Sequence, residues 1–387
     1  MIKKCTFIII ISSFLLSAEA AWYNTGWAYR AKITVEHSKV GETLTDYPVY
    51  VNLNNFGSGH GIWGHALSTG NDLRITKSDG TTEVPIQVVA IDTTAKTGEM
   101  HFKGAGTDIN ATTNASYYLY YGNGDASAYA ASATYGSQNV WNSDYKCVYH
   151  FQEAVNNDAS GYKDSTSNTN HGTGVSMSIT APDGKLSGKS AELDGSADYI
   201  DITTIIGEVS ANTVGEVSMW LYADSAAALQ DPWNIDNSSG WGAAGQLNTI
   251  GGMRAFVGNG LGTGADTDIV AVGSVTASVW QNWAYVQDGT SEKIFMNGTS
   301  LSVTGVNSTE WFDGITIDRA YIGTRFDHNA FFYNGKIDEM RISSLNHSAN
   351  WRTTEYKNQS SPSTFYTIAT EENAPATANA INFGVLF

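Results

Sequence analysis

Cysteine, proline, basic side chains and long apolar runs are all scarce in this chain, and each scarcity excludes something. Of 387 residues, two are cysteines, Cys5 and Cys147, and six are prolines. A chain with so few thiols is held by core burial, or by core plus metal, and not by a disulfide framework. Cys147 lies in the strand-like run 145–151 (Tyr-Lys-Cys-Val-Tyr-His-Phe) and reads as a small buried hydrophobe. Lys and Arg together number 21 against 38 Asp and Glu, a net charge of −17. Such a surface repels nucleic acid and anionic lipid and attracts divalent cations. Beyond the first twenty residues no stretch approaches the roughly 18 apolar residues a spanning helix needs, so membrane insertion is not expected. Catalytic motifs are missing as well. There is no Gly-x-Ser-x-Gly elbow, no His-Glu-x-x-His and no phosphate loop. No paired-carboxylate run of the glycosidase kind occurs either. Asp338 and Glu339 are adjacent on a strand, and regular alternation points them to opposite faces.

Residues 1–20 read as a secretory signal peptide: Lys3 and Lys4, an apolar run from Phe7 to Leu16, then Ala18-Glu19-Ala20. The expectation is a protein secreted, periplasmic or at the cell surface after cleavage, and one that has lost Cys5.

What is abundant is Gly, Thr, Ser, Asn and Tyr in short alternating runs, the composition of sheet and turn. Between residues 282 and 343 the order is strand, turn, strand, loop, strand. Asp288-Gly289, Asn297-Gly298 and Asn334-Gly335 mark the breaks. The runs 29–35, 47–53, 72–76, 83–91, 99–103 and 116–121 form an earlier set. The predicted fold is all-β, two β-sandwiches in series: residues 21–123, a linker 124–139, a second unit 140–370 and a tail 371–387. The tail ends in an alternating run, 381–387, that reads as a frayed end or a strand that docks on a partner.

Two resemblances sharpen this picture. Gly26-Trp-Ala-Tyr-Arg30, Thr45-Asp-Tyr-Pro-Val49, Asp72-Leu-Arg-Ile-Thr76 and Tyr118-Leu-Tyr-Tyr-Gly-Asn123 resemble a bacterial domain family of unknown function, which implies no catalytic residues. Val148–Glu153, Asp164–Gly172, Gly184–Gly195, Val217–Tyr222 and Asn334–Ser343 resemble the laminin-G-like, concanavalin A-like jelly rolls. Members of that family are commonly binding modules on secreted proteins. The implied ligand is a polysaccharide or a glycoprotein. A structural or adhesive surface component that binds envelope proteins is the rival reading, and a glycan-degrading enzyme with unrecognised residues is the third.

Sugars stack on exposed aromatics among Asn, Asp and Gly, and sandwich-end loops are where such sites are built. Trp233 and Trp241 in the run 231–242, Trp311 in 307–314, and Phe332 with Tyr333 in 327–333 are the ligand-binding candidates. Trp220, Trp280 and Trp283 read as core. His60 and His65 flank a Gly/Trp loop and read as solvated, and His150 reads as a core-edge side chain. Asp158, Asp164 and Asn170 crowd the first loop of the second unit. The resemblance makes the opening and closing strands neighbours and brings Asp338 towards them. A structural calcium is the expected cofactor, and Asp164 capping its own turn is the alternative.

Overall fold

The computed structural model describes residues 20–154, 157–178, 181–258 and 266–375. Residues 1–19 of the expected signal peptide, and the run 381–387, lie outside the described residues. Four antiparallel sheets make two sandwiches. In the first, Tyr29–Val35 lies between Ala115–Tyr121 and the late strand Tyr366–Ile368. Arg74–Lys77 and Glu83–Val84 extend that sheet, and Glu372–Asn373 also pairs with Tyr29–Val35. A three-stranded sheet of Pro48–Asn52, Thr97–Lys103 and Ile86–Asp92 faces it. Alternation sends Ala31, Ile33, Val49, Val51, Met100, Phe102, Tyr117 and Leu119 inward. Each buried side chain of valine size or larger stabilises the fold by about 1.5–3 kcal/mol.

The second sandwich is larger. Its seven-stranded sheet centres on Gly215–Ala223, flanked by Asn334–Ser343 and Trp280–Gln287. Its eight-stranded sheet runs from Thr304–Val306 through Thr267–Ala271, Met253–Val257, Gly242–Leu247, Gln230–Asp236, Arg319–Ile322 and Tyr199–Asp201 to Thr173–Val175. The expected hairpin at Asn297-Gly298 is present. Both residues have positive φ, 52° and 74°, which suits the tight turn between Glu292–Met296 and Thr299–Ser300. The core of this unit contains Trp233, Trp283, Met219, Leu221, Ile235, Ile322 and Ile337, together with Cys147 as a small buried hydrophobe.

The close of the chain departs from the expected boundary at 370. Helix Ala349–Ser360, capped by Ser348 and ended before Pro362, leaves the second sandwich. Trp351, Phe365 and Tyr366 are buried in the first sandwich's core, and Ile33, Thr34 and Val35 pair with Ile368, Thr367 and Tyr366. An apolar pair, Phe365 and Tyr366, finds its burial beside the first strand, where a sheet edge would otherwise be bare. The helix lies between the two units and joins them: Trp220 Nε1 donates to Gln359 Oε1 (2.6 Å), and Asn358 bonds Tyr50.

Candidate functional site

The outer face of the eight-stranded sheet is the candidate binding surface. Alternation turns Trp233, Ile235, Ala243, Leu247, Ala255 and Ile269 into the core, and so leaves Asn234, Asp236, Gln246, Arg254, Phe256 and Asp268 on the other side. Register aligns Tyr321, Asn234, Ala244, Phe256 and Asp268 in one rung across five strands. Arg254 holds Asp268 through two bonds of 2.7 and 2.8 Å, reaches Gln246 Oε1 at 3.0 Å, and lies 5.1 Å from the Phe256 ring. Gln246 in turn donates to Asp231 (2.8 Å). Trp241, at the tip of the hairpin that joins two of these strands, is 39% exposed, and its ring centre is 6.3 Å from that of Phe256. Phe326 closes against Gly240, where a Cβ would fall 2.5 Å from the ring. Further along, Tyr199 stacks on His328 at 4.3 Å and Tyr321 meets His328 edge-on at 4.5 Å. Burial pushes Asp231 up to about 7 and Asp236 up to about 8. Chemically this face offers ring surfaces flanked by fixed donors and acceptors.

The predicted aromatic residues separate sharply. Trp241 is exposed and Phe332 is half-buried. Trp233 (1% exposed), Trp311 (0%) and Tyr333 (0%) are core residues and present no ring face to a ligand. Trp233 sits at an inward position of its strand, edge-on to Tyr285 at 5.3 Å; the polar residues around it in sequence belong to the opposite face. The residues that sequence reasoning passed over, Phe256, Arg254 and Phe326, stand in or beside strands. Their signal is the alternation of Met253–Val257, which sends Phe256 outward.

The four expected calcium ligands do not converge. Asp164 spends its oxygens on Val148 N, Thr166 N and Oγ1 and Asn170 N, at 2.8–3.0 Å, which is the turn-capping alternative. Asn170 donates its side-chain amide to Lys146 O. Asp338 accepts from the backbone of Lys185, Leu186 and Glu339, and Asp158 is an exposed loop residue. Among the described residues, the group of His, Cys, Asp or Glu side chains that does converge is Glu99, His101, His150 and Glu339, whose ligand atoms lie within 4.8 Å of one another. This buried group could hold a metal ion.

Strand geometry explains how the group assembles. Glu99 and His101 are two apart on Thr97–Lys103 and share the face opposite Met100 and Phe102. His150 follows the strand Tyr145–Tyr149. Glu339 comes from Asn334–Ser343, where the pairing slips between Ser218 and Trp220 and Glu339 takes a φ of 51°. The slip is a bulge, and it corrects the expectation that Asp338 and Glu339 point to opposite faces: Ile337 and Met340 are core, and both carboxylates turn to the interface. Burial and the neighbouring Glu339 hold Glu99 and Asp338 well above the usual carboxylate range. Glu339 is held below it by His150 and Arg341 despite its burial. Burial holds His101 well below the usual imidazole range. Next to this group Arg341 bridges Glu339 and Glu355, and Arg352 bridges Glu355 (2.7 Å) and Glu216.

Residues 194–351 match the family described as the concanavalin A-like lectin/glucanases superfamily. The second sandwich is a concanavalin A-like fold. Solved structures similar to this chain include the Ruminococcus gnavus IT-sialidase CBM40 bound to alpha2,3 sialyllactose, 18% identical over 43% of this chain and 96% of that one, with a TM-score of 0.39. Domain 4 of AbnA, an extracellular arabinanase from Geobacillus stearothermophilus in complex with arabinotriose, is 22% identical over 55% and 98%, with a TM-score of 0.41. The botulinum neurotoxin serotype D/C binding domain is 9% identical over 56% and 52%, with a TM-score of 0.43. No curated protein matches. No helix among the described residues is long and apolar enough to cross a membrane.

Proposed function

We propose that this chain is an exported, non-catalytic binding protein that takes a polysaccharide, or the glycan of a glycoprotein, on the outer face of its concanavalin A-like sandwich. The observation that carries the reading is Trp241, a large ring left open to solvent beside Phe256 on a face lined by Arg254, Asp268 and Gln246. A sugar ring stacks its apolar side on such aromatics, while its hydroxyls exchange hydrogen bonds with neighbouring polar groups. The convergent acids Glu99, Asp338 and Glu339 do not compete as a catalytic pair. All three are at most 2% exposed and are buried where the two sandwiches meet, so no saccharide reaches them. Export rests on the sequence of residues 1–20, and the first sandwich is read as a spacer or docking module.

Affinity electrophoresis through gels cast with different polysaccharides tests the proposal. The wild type is retarded in at least one gel, and Trp241→Ala migrates there as in a blank gel with its melting midpoint unchanged. Equal retardation of both proteins moves the site elsewhere, and retardation in no gel rejects the function.

A further inference from the structure

The Glu99, His101, His150 and Glu339 group joins two units of the chain, and nothing in the proposed glycan face uses it. We propose that it is a site for a divalent transition-metal ion of the zinc class, with two ligands from each sandwich, so that the ion cross-links them.

Four-coordinate zinc has bonds of about 2.0–2.2 Å to imidazole nitrogen and carboxylate oxygen, which places neighbouring ligand atoms about 3.3–3.6 Å apart. Glu99 Oε1 is 3.3 Å from His101 Nε2 and 3.8 Å from His150 Nδ1, and the four ligand atoms all lie within 4.8 Å of one another. The two Glu99 separations already lie close to that tetrahedron, and the others need to change by about 1.5 Å or less to meet it. His150 Nδ1 and Glu339 Oε1 are hydrogen-bonded, and the ion would take the place of the proton between them. The ligand set selects the metal. Two imidazoles with two carboxylates suit zinc and its neighbours in the first row, whereas calcium takes six to eight oxygens.

The surroundings are those of a built site. Glu99 is 1% exposed and its Oε2 has no hydrogen-bond partner, although Oε1 is aimed at both imidazoles. Arg341 Nη2 fixes the other oxygen of Glu339, as outer-shell partners of metal ligands do. Trp141 covers the imidazoles, its ring centre 5.4 Å from that of His101 and 5.7 Å from that of His150. An ion of charge +2 would be held here against the buried carboxylates of Glu99 and Glu339. A cavity of about 450 Å³ is lined by Gly98, which precedes Glu99, and by Gln152, which donates to His150 O.

The test uses the full chain, stripped by chelator dialysis and then equilibrated with Zn²⁺, Ca²⁺ or Co²⁺ separately. The proposal expects one Zn²⁺ per chain, a raised thermal midpoint, and the strong visible absorption of four-coordinate Co²⁺. Glu99→Gln combined with His101→Gln should weaken Zn²⁺ binding at least tenfold and abolish the midpoint rise. His65→Ala, which breaks the exposed His65–Glu371 pair (2.9 Å), should change neither. Absence of Zn²⁺ binding, a preference for Ca²⁺, the weak spectrum of six-coordinate Co²⁺, or full Zn²⁺ binding by the double variant would overturn it. The Co²⁺ spectrum is read on the wild type, so a variant that fails to fold leaves the test intact.

Discussion

Asn358 binds the backbone of Tyr50 in both directions, accepting from its N–H at 2.9 Å and donating to its carbonyl at 2.9 Å. A side-chain amide on the helix between the sandwiches thus stands in for a missing neighbour strand on Pro48–Asn52. Both backbone groups are buried, so removing the amide leaves a donor and an acceptor unpaired, at about 1–3 kcal/mol each. Asn358→Ala is therefore expected to destabilise the protein by about 2–6 kcal/mol, read as a drop in the urea midpoint with an unchanged slope. A loss below about 0.5 kcal/mol would mean that the helix does not serve as this strand's partner.

The return of the chain to its first strand makes a second prediction. Phe365 is fully buried in the first sandwich although it lies more than 300 residues from Val35. Phe365→Ala should cost about 3–5 kcal/mol and should raise hydrogen exchange in Tyr29–Val35 and Ala115–Tyr121. Exchange enhanced only in the second sandwich would contradict the assignment of this segment.

The tryptophans should divide in stability as they divide in burial. Trp233→Ala and Trp311→Ala empty core positions and should each cost about 3–5 kcal/mol. Trp241→Ala removes an exposed ring and should stay within about 0.5 kcal/mol of wild type. Chemical denaturation of the three variants side by side checks this contrast.

These contrasts show where the sequence could be read and where it could not. Periodicity located the strands, and Asn297-Gly298 marked a real hairpin, because alternation and turn chemistry are local. The burial of Trp233 was not legible. Its neighbours are Asp, Pro and Asn, and only the position of the strand within the sheet tells which face is core. The strand Thr97–Lys103 did carry a local signal, since Glu99 and His101 share a face with no apolar companion. Their partners, His150 and Glu339, lie across a domain interface, and Glu339 reaches them only through a bulge that breaks the alternation used to place it. Contacts between distant segments, such as Ile33 with Ile368, leave no local trace.

Buried carboxyls give the stability a slope in pH. Asp231, raised to about 7, and Asp236, raised to about 8, stay protonated in the folded chain where the unfolded chain has already lost those protons, near pH 4. The folded state binds more protons in that window, so stability falls as pH rises from about 4 towards 8, by up to about 1.4 kcal/mol per pH unit for each group. Both oxygens of Asp236 lack hydrogen-bond partners. Asp236→Asn should therefore flatten the slope between pH 5 and about 8. Urea titrations at several pH values check it, and an identical slope in the variant would count against a neutral Asp236.

Binding at the outer face of the eight-stranded sheet is tested most directly on a glycan array probed with wild type and Trp241→Ala at matched concentration. The account predicts a defined set of glycans bound by the wild type and lost from the variant, while both proteins melt at the same temperature. Signals at background for the wild type, or the same glycans bound equally by both, would contradict it.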